Sequence, residues 1–473
     1  MIFNSVTFLF AFLPISLLLY WFSPKNIKNY TLFLISLFFY FWGSTSQFYL
    51  IIVSIFFNYF FGLFLDIINK RRKLLLILGL IFNLGILSIY KYLNFFIENI
   101  NAFLDSFGFN AIPNQHITLP IGISFFTFQA ISYLIDIYRR EIKHQKNPFY
   151  FGLYIALFPQ LIAGPIVRYH DIQTQITSRQ LNLDKFTIGV RRFIGGLAKK
   201  VLIANVLAVP VDYVYGLEPS EITCSLSWFI AILYAFQIYF DFSGYSDMAI
   251  GLAKMFGFDL LENFNYPFIS KSISELWRRW HISLSSWFRD YLYIPLGGNR
   301  CSKIAHYRNL MIVFLLCGFW HGASWNFVAW GGFQAFFIIL EKIGLKNLFN
   351  KLPSLLQNIY AFLVFAFGFV LFRSDTLEYA YKFWQRMLSP FSDGNYNLIN
   401  VVDNQILLVL LFAFIFAWGA YQKIADLYSK KERGKVSQTI SSLLLQSAFL
   451  LIFFLSLAKI ASQSYNPFIY FRF

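Results

Sequence analysis

The chain has 473 residues, 58% of them hydrophobic and only 13% charged, with a formal net charge of +16. A typical soluble protein is about 25% charged, so this chain has too little polar surface to cover a water-facing globule and reads as a polytopic membrane protein. No soluble basic module is present to bind nucleic acid. The three cysteines, Cys224, Cys301 and Cys317, lack metal-ligand spacing and are too few for a disulfide framework.

A membrane-crossing helix needs about 20 apolar residues. Candidate spans, in chain order, are 2–22, 30–46, 48–66, 74–92, 120–138, 149–164, 225–242, 307–325, 327–341, 356–373, 405–422 and 440–461. The first lacks a basic leader and runs into Pro24, so it reads as a retained span and not a signal peptide. Several segments are short, which suggests half-helices or re-entrant pieces surrounded by protein or an aqueous cavity. The expected architecture is therefore all-α, with roughly 10–12 transmembrane helices, plus re-entrant or interfacial ones, in a single integral membrane domain over 1–473. No repeat of fixed period appears, which counts against an inverted-repeat transporter.

Basic and non-basic loops alternate. Lys25 and Lys28 precede a neutral turn at 43–47; Lys70, Arg71, Arg72 and Lys73 precede an expected loop at 93–118 with no Lys or Arg; then come Arg139, Arg140, Lys143 and Lys146. The stretches 342–351 and 423–435 are basic as well. The positive-inside rule places these basic segments in the cytoplasm and both termini outside.

Two segments do not resemble ordinary spans. Residues 186–201 carry Phe186, Val190, Phe193, Leu197 and Val201 on one face and Arg191, Arg192, Lys199 and Lys200 elsewhere, the pattern of a helix lying in the cytoplasmic interface. Residues 272–296 begin with Ser272 three residues before Glu275, a capping-box start. They continue as a helix with an apolar stripe of Trp277, Trp280, Leu284, Phe288 and Tyr291. Arg278, Arg279, Arg289 and Asp290 are too many charges for a lipid-facing span, so this helix is expected among its neighbours, partly buried.

Ionisable residues at membrane depth mark functional sites by default. His281 edges the apolar stripe. His321 lies in 310–330, where the thiol of Cys317 is the only other ionisable side chain, and Gly318 and Gly322 flank it in a small-xxx-small pattern that permits close approach. Each histidine reads either as a core residue bonded to a carbonyl or as a proton-transfer group. A buried neutral imidazole can remove a hydroxyl proton near pH 7, and a nearby thioester would then receive the alkoxide without a metal. His116, His144, His170 and His306 occupy polar loop contexts. Asp241 and Asp247, six residues apart, face different directions on a helix unless Gly244 breaks it, and pairing with Arg278 or Arg289 would give them a structural role. Asp136, before Arg139 and Arg140, looks like a span-end ion pair. Cys317 is one turn before His321, so a Cys–His nucleophile is geometrically possible.

Trp277-Arg-Arg-Trp-His281-Ile-Ser-Leu-Ser, continuing through Arg289-Asp-Tyr-Leu-Tyr-Ile-Pro-Leu-Gly-Gly-Asn299, resembles the signature of the membrane-bound O-acyltransferase (MBOAT) family, as does Gly318-Phe-Trp-His321-Gly-Ala-Ser-Trp325. Stretches at 119–129, 158–165 and 237–247 and the terminal 465–473 agree, in the expected order over nearly the whole chain. Within the family the chain is similar to the bacterial alginate and peptidoglycan O-acetylation branch. The resemblance implies His321 as the catalytic residue with His281 near it. It also implies a tunnel across a thinned centre, to which Trp280, Trp320, Arg278, Gly318, Gly322, Asp241 and Asp247 are candidates, and no metal. Cys317 stands where the family commonly has glycine, which narrows the tunnel there.

The resemblance further implies a bacterial cytoplasmic (inner) membrane location, with acetyl-CoA or an acyl-carrier as cytoplasmic donor and no tightly bound cofactor. Acetyl groups would pass across the bilayer to a periplasmic or extracellular acetyltransferase partner and on to a polysaccharide acceptor. A composition rich in Phe, Ile, Asn and Lys, as in AT-rich genomes, leans toward peptidoglycan or another surface glycan over alginate. Two alternatives are a D-alanyl transferase of teichoic-acid type, which shares the two histidines, and a non-enzymatic transporter whose histidines couple protons. The topology has its own test: cysteines placed at 71 or 431 should resist a membrane-impermeant thiol label in intact cells, and strong labelling there would overturn the orientation.

Overall fold

Without water to compete, an apolar backbone must satisfy its own hydrogen bonds, and helices do this within one segment. The computed structural model describes residues 2–162, 164–391, 393–419 and 435–462, and among these no strand forms. Backbone pairing of the sheet type is limited there to an isolated bridge between Ile222 and Tyr396. Among the described residues, seven helices are long and apolar enough to cross a membrane: Phe48–Ile67, Arg72–Asp105, Leu183–Tyr215, Cys224–Met255, Trp325–Phe349, Ser354–Arg373 and Ile440–Ser462. Phe8–Phe22 and Asn404–Ala417 are shorter apolar helices. The 149–164 segment is broken as its length suggests, into Pro148–Ala156 and Phe158–Leu161. Residues 423–434 and the terminal 465–473 motif lie outside the described residues.

Two expectations change. The stretch after Tyr92 is not a loop throughout, because helix continues over Leu93–Asp105. The 186–201 segment does not stand alone: it is the first part of the helix Leu183–Tyr215, which is long and apolar enough to cross a membrane. Of its cations, Lys200 meets the buried Asp241, and Lys199 and Arg192 meet the partly buried Asp247, a feature a periodicity plot does not reveal.

The contacts divide the chain into two compact units. The first comprises Met1–Val190, Ala249–Leu261 and Gly322–Ser324. In it, Asn58 and Asn83 on neighbouring helices exchange side-chain hydrogen bonds of 3.0 and 2.7 Å. A Cβ at Gly79 would lie 2.7 Å from Leu134 Cδ1, so a larger residue there would displace that side chain. Asp136, fully buried, meets His170 Nδ1 at 3.1 Å, and His170 Nε2 lies 3.1 Å from Asp171. His144, expected in a plain loop, bonds Asp66 at 2.7 Å.

The second unit comprises Arg191–Met248, Glu262–His321 and Trp325–Phe473. Two glycine contacts organise it. A Cβ at Gly196 would fall 2.5 Å from the Gly244 carbonyl oxygen. That close crossing brings Lys200 onto Asp241 as a buried ion pair, and Lys199 (2.7 Å) and Arg192 (2.8 Å) onto Asp247. Likewise a Cβ at Gly318 would lie 2.1 Å from the Phe327 oxygen, and one at Gly331 2.1 Å from the Phe314 oxygen, so helices Lys303–His321 and Trp325–Leu340 touch backbone to backbone.

Hydrogen bonds to Asp136 and then Asp171 push the His170 imidazole up to about 10. A folded-state value above the unfolded one, about 6.5, means that the stability it contributes is complete below that pH and lost as pH rises through about 10. The melting-temperature gap between wild type and His170→Gln should therefore shrink between about pH 6 and pH 10. A gap that widened with pH would contradict the assignment.

Candidate active site

The helix expected over 272–296 begins as its sequence suggests. Ser272 Oγ accepts from the Glu275 N–H at 3.1 Å, although Glu275 Oε2 caps the N–H of Lys271 (3.0 Å) and not that of Ser272. It does not run through. Helix Ile273–Arg279 stops, Trp280 is extended, and His281 adopts a left-handed conformation (φ 45°, ψ 54°) before Ile282–Phe288 begins. Such backbone costs a non-glycine residue about 1–3 kcal/mol and persists only where the surroundings over-determine it. Here residues 263–265 pair with the break: the Ile282 N–H donates to the Asn263 carbonyl and the Asn265 N–H to the Arg279 carbonyl, both at 2.9 Å.

Asn263 also fixes the His281 ring. Its Oδ1 accepts from the Ser283 N–H (3.2 Å) and Ser283 Oγ (2.9 Å), and lies 3.1 Å from His281 Nδ1. A backbone N–H can only donate, so the shared atom is oxygen and His281 Nδ1 carries the proton. Nε2 is then the basic nitrogen. Burial, reinforced by the nearby His321, pushes the His281 imidazole well below its ordinary value and keeps it neutral. His281 lies between two seven-residue helices, neither long enough to cross a membrane.

His321 ends the helix Lys303–His321, and the chain leaves the helix at Gly322. Its ring packs edge-on against Trp330 and Phe372, each at 5.3 Å between centroids. The His281 and His321 centroids are 6.5 Å apart. That is too far for ring nitrogens to bond each other and close enough for a substrate oxygen to sit between them. Both line one cavity of about 190 Å³ with Trp277, Trp280, Leu284 and Phe288, four of the five residues of the apolar stripe. The stripe therefore faces the site even though its helix is broken.

The predicted site residues separate into groups. Trp280 and Arg278 line the cavity with the two histidines, as does Cys317. Trp320 is beside both rings, 6.2 Å from His281 and 5.0 Å from His321. Gly318 serves a helix contact. Asp241 and Asp247 are outside the cavity lining, and their cationic partners are Lys200, Lys199 and Arg192 and not Arg278 or Arg289. The helix Cys224–Met255 continues through Gly244, so no carboxylate dyad forms. Arg289 pairs with its neighbour Asp290 at 2.6 Å. Sequence reasoning missed Asn263, Ser285 and Tyr293; Ser285 Oγ, in the cavity wall, donates to the Trp277 carbonyl at 3.2 Å.

Two imidazoles opening into a small apolar cavity inside a helical membrane protein define a site for proton-assisted transfer of a small group. The model of the membrane-bound O-acyltransferase family matches residues 6–374, and the chain belongs to that family. It is an O-acyltransferase. It is 39% identical to the probable alginate O-acetylase AlgI of Azotobacter vinelandii, over the full length of both chains. It is 34% identical to the peptidoglycan O-acetyltransferase of Helicobacter pylori, over 100% of this chain and 98% of that one. The teichoic acid D-alanyltransferase of Bacillus subtilis is 28% identical over 55% of this chain and 70% of its own.

Replacing Asn263 by Leu removes the acceptor that selects the His281 tautomer and strands the Ser283 donors. Acyl transfer should fall about 10–100-fold, with Asn263→Asp recovering part of the loss because a carboxylate also accepts. Equal activity in wild type and Asn263→Leu, measured in membranes with matched protein levels, would show that the tautomer is set elsewhere.

Proposed function

We propose that this protein takes acetyl groups from a cytoplasmic thioester donor, acetyl-CoA, and moves them across the bacterial inner membrane for O-acetylation of a cell-surface polysaccharide. The observation that carries the reading is the pair His281 and His321 facing one small cavity. His321 acts as general base: it takes the hydroxyl proton as the oxygen attacks the thioester carbonyl. The carbon–sulfur bond then breaks, and the proton passes to the departing thiolate. His281, held in one tautomer by Asn263, orients the reacting oxygen from the other side.

Cavity size and charge favour acetyl. About 190 Å³ is below the roughly 300–1,000 Å³ of pockets for drug-sized ligands, which suits a short acyl group. A D-alanyl group would bring an ammonium into a cavity whose lining includes Arg278 and Arg289 and no carboxylate. Like charges at close range disfavour that substrate. The full-length similarity to an alginate O-acetylase and a peptidoglycan O-acetyltransferase supports a surface polysaccharide as final acceptor. The acetyl group would reach it through an extracytoplasmic acetyltransferase partner.

His321→Ala should cost about 10²–10⁴-fold in acetyl transfer, the usual worth of a general base, with membrane insertion retained. Cys317→Ser separates the mechanisms, because a Cys nucleophile would be abolished by it while a histidine base would keep most of its rate. Acetyl content of the isolated cell-wall glycan is the readout. Near-wild-type acetylation by His321→Ala would defeat the proposal.

A further inference from the structure

Helix Trp325–Phe349 touches both histidine-bearing segments along one face. Phe327, Trp330, Gln334 and Glu341 recur at intervals of three, four and seven residues, which keeps them on that face. The Phe327 carbonyl oxygen forms the close backbone crossing at Gly318, and Trp330 packs edge-on against the His321 ring at 5.3 Å. Further along, Gln334 Oε1 accepts from Trp277 Nε1 at 3.3 Å. Glu341, 4% exposed, stands where the regular part of the helix, Trp325–Leu340, ends.

A carboxylate is almost never buried this deeply without partners, and those of Glu341 include the start of the helix that leads to His281. Oε1 accepts the Ile273 N–H at 2.5 Å, with the Tyr360 hydroxyl at 3.4 Å. Oε2 accepts the Ser274 N–H at 3.0 Å and the Ser274 hydroxyl at 2.7 Å. The first N–H groups of a helix have no partner within it, so these donors need an outside acceptor. Ile273–Arg279 has seven residues, about 10 Å of rise, and His281 lies two residues beyond its end. A segment this short, gripped by Glu341 at its start and by Asn263 just past its end, has little freedom to slide.

We propose that Glu341 is a positioning residue for acyl transfer: by holding the start of helix Ile273–Arg279 against the helix that packs on His321, it sets where His281 stands relative to His321. The proposal rests on the two-histidine reading of the cavity for what that spacing is used for. Both carboxylate oxygens are needed. An amide of the same length accepts through one oxygen only and turns its NH2 donors toward either the Ile273 N–H or the Ser274 N–H. Donor facing donor pushes the helix start away, and a misplacement of about 1 Å passed on to a reacting group costs roughly 10²-fold in rate.

The test follows acetylation of the cell-wall glycan and, in the full-length protein, the ring ¹⁵N resonances of His281, assigned with His281→Gln. At matched levels in the membrane, Glu341→Gln should lower acetylation roughly tenfold to a hundredfold. It should also displace the His281 ring resonances while those of His144 and His170 stay in place. Loss of stability alone would lower the amount of folded protein and leave the rings of the folded molecules unmoved. In the His281→Gln background, Glu341→Gln should cost no more than about twofold further, because groups that act as a unit are non-additive. Ser274→Ala withdraws one donor and leaves the carboxylate in place. It should give the same pattern on a smaller scale, and it decides the matter where Glu341→Gln fails to reach the membrane. An unmoved His281 ring, or losses that multiply in the double variant, would overturn the inference. A displaced ring together with full acetylation by His281→Gln would instead fault the two-histidine reading and leave the placement of the helix by Glu341 standing.

Discussion

Asn263 offers one side-chain oxygen to three neighbours, the His281 ring, the Ser283 N–H and the Ser283 hydroxyl, and its own backbone carbonyl to a fourth, Ile282. A buried donor left without an acceptor costs about 1–3 kcal/mol. Together these bonds stabilise the break against the roughly 1–3 kcal/mol that the left-handed backbone at His281 stores. The chain accepts the strain because the break turns the imidazole into the cavity. A continuous helix would satisfy Ser283 and Ser285 within its own turns and would leave Asn263 unemployed. The position of the second histidine is thus set by a loop 18 residues earlier in the sequence.

The same region is held from behind by the helix that carries Asp241. Phe242, the next residue, packs edge-on against His281 at 4.6 Å. Rotation of that helix is restrained by the Lys200–Asp241 pair, whose side chains are 1% and 3% exposed. A buried pair of this kind often adds little net stability over a hydrophobic pair, yet removing one partner typically costs about 3–5 kcal/mol because the other charge is stranded. Its contribution here is to register: only one rotation and translation of the two helices satisfies both Lys200–Asp241 and the Gly196–Gly244 contact. The two aspartates therefore act at a distance from the chemistry, through the aromatic ring beside the imidazole.

Much of the site was legible in the sequence because it rests on local rules. Helical spacing identified the stripe Trp277, Trp280, Leu284 and Phe288, and these residues do face one cavity. The rarity of ionisable groups in 310–330 singled out His321. The glycines near it were noticed, although Gly318 turns out to admit a neighbouring helix backbone and no ligand. What escaped was non-local. Neither glycine nor proline marks the break at Trp280–His281, since its cause is pairing with 263–265. Residues 186–201 score as amphipathic because their cations look solvent-bound, whereas Lys200 is buried on Asp241, and Lys199 and Arg192 meet Asp247 of the same opposing helix. Asn263 sits between the helices in a stretch with no periodic signal at all.

The electrostatics of the second unit divide its cations by role. Arg192, Lys199 and Lys200 are neutralised by Asp247, Glu262 and Asp241 and hold helices together. Arg279 is neutralised by Glu275. Lys271, Arg278 and Lys346 line one recess that shares Arg278 with the histidine cavity. Mutual repulsion makes that arrangement unfavourable in the empty protein, and water at the recess mouth screens it only in part. The histidine cavity beside it is lined largely by apolar side chains, Trp277, Trp280, Leu284 and Phe288 among them, so a small neutral group suits it better than a charged one.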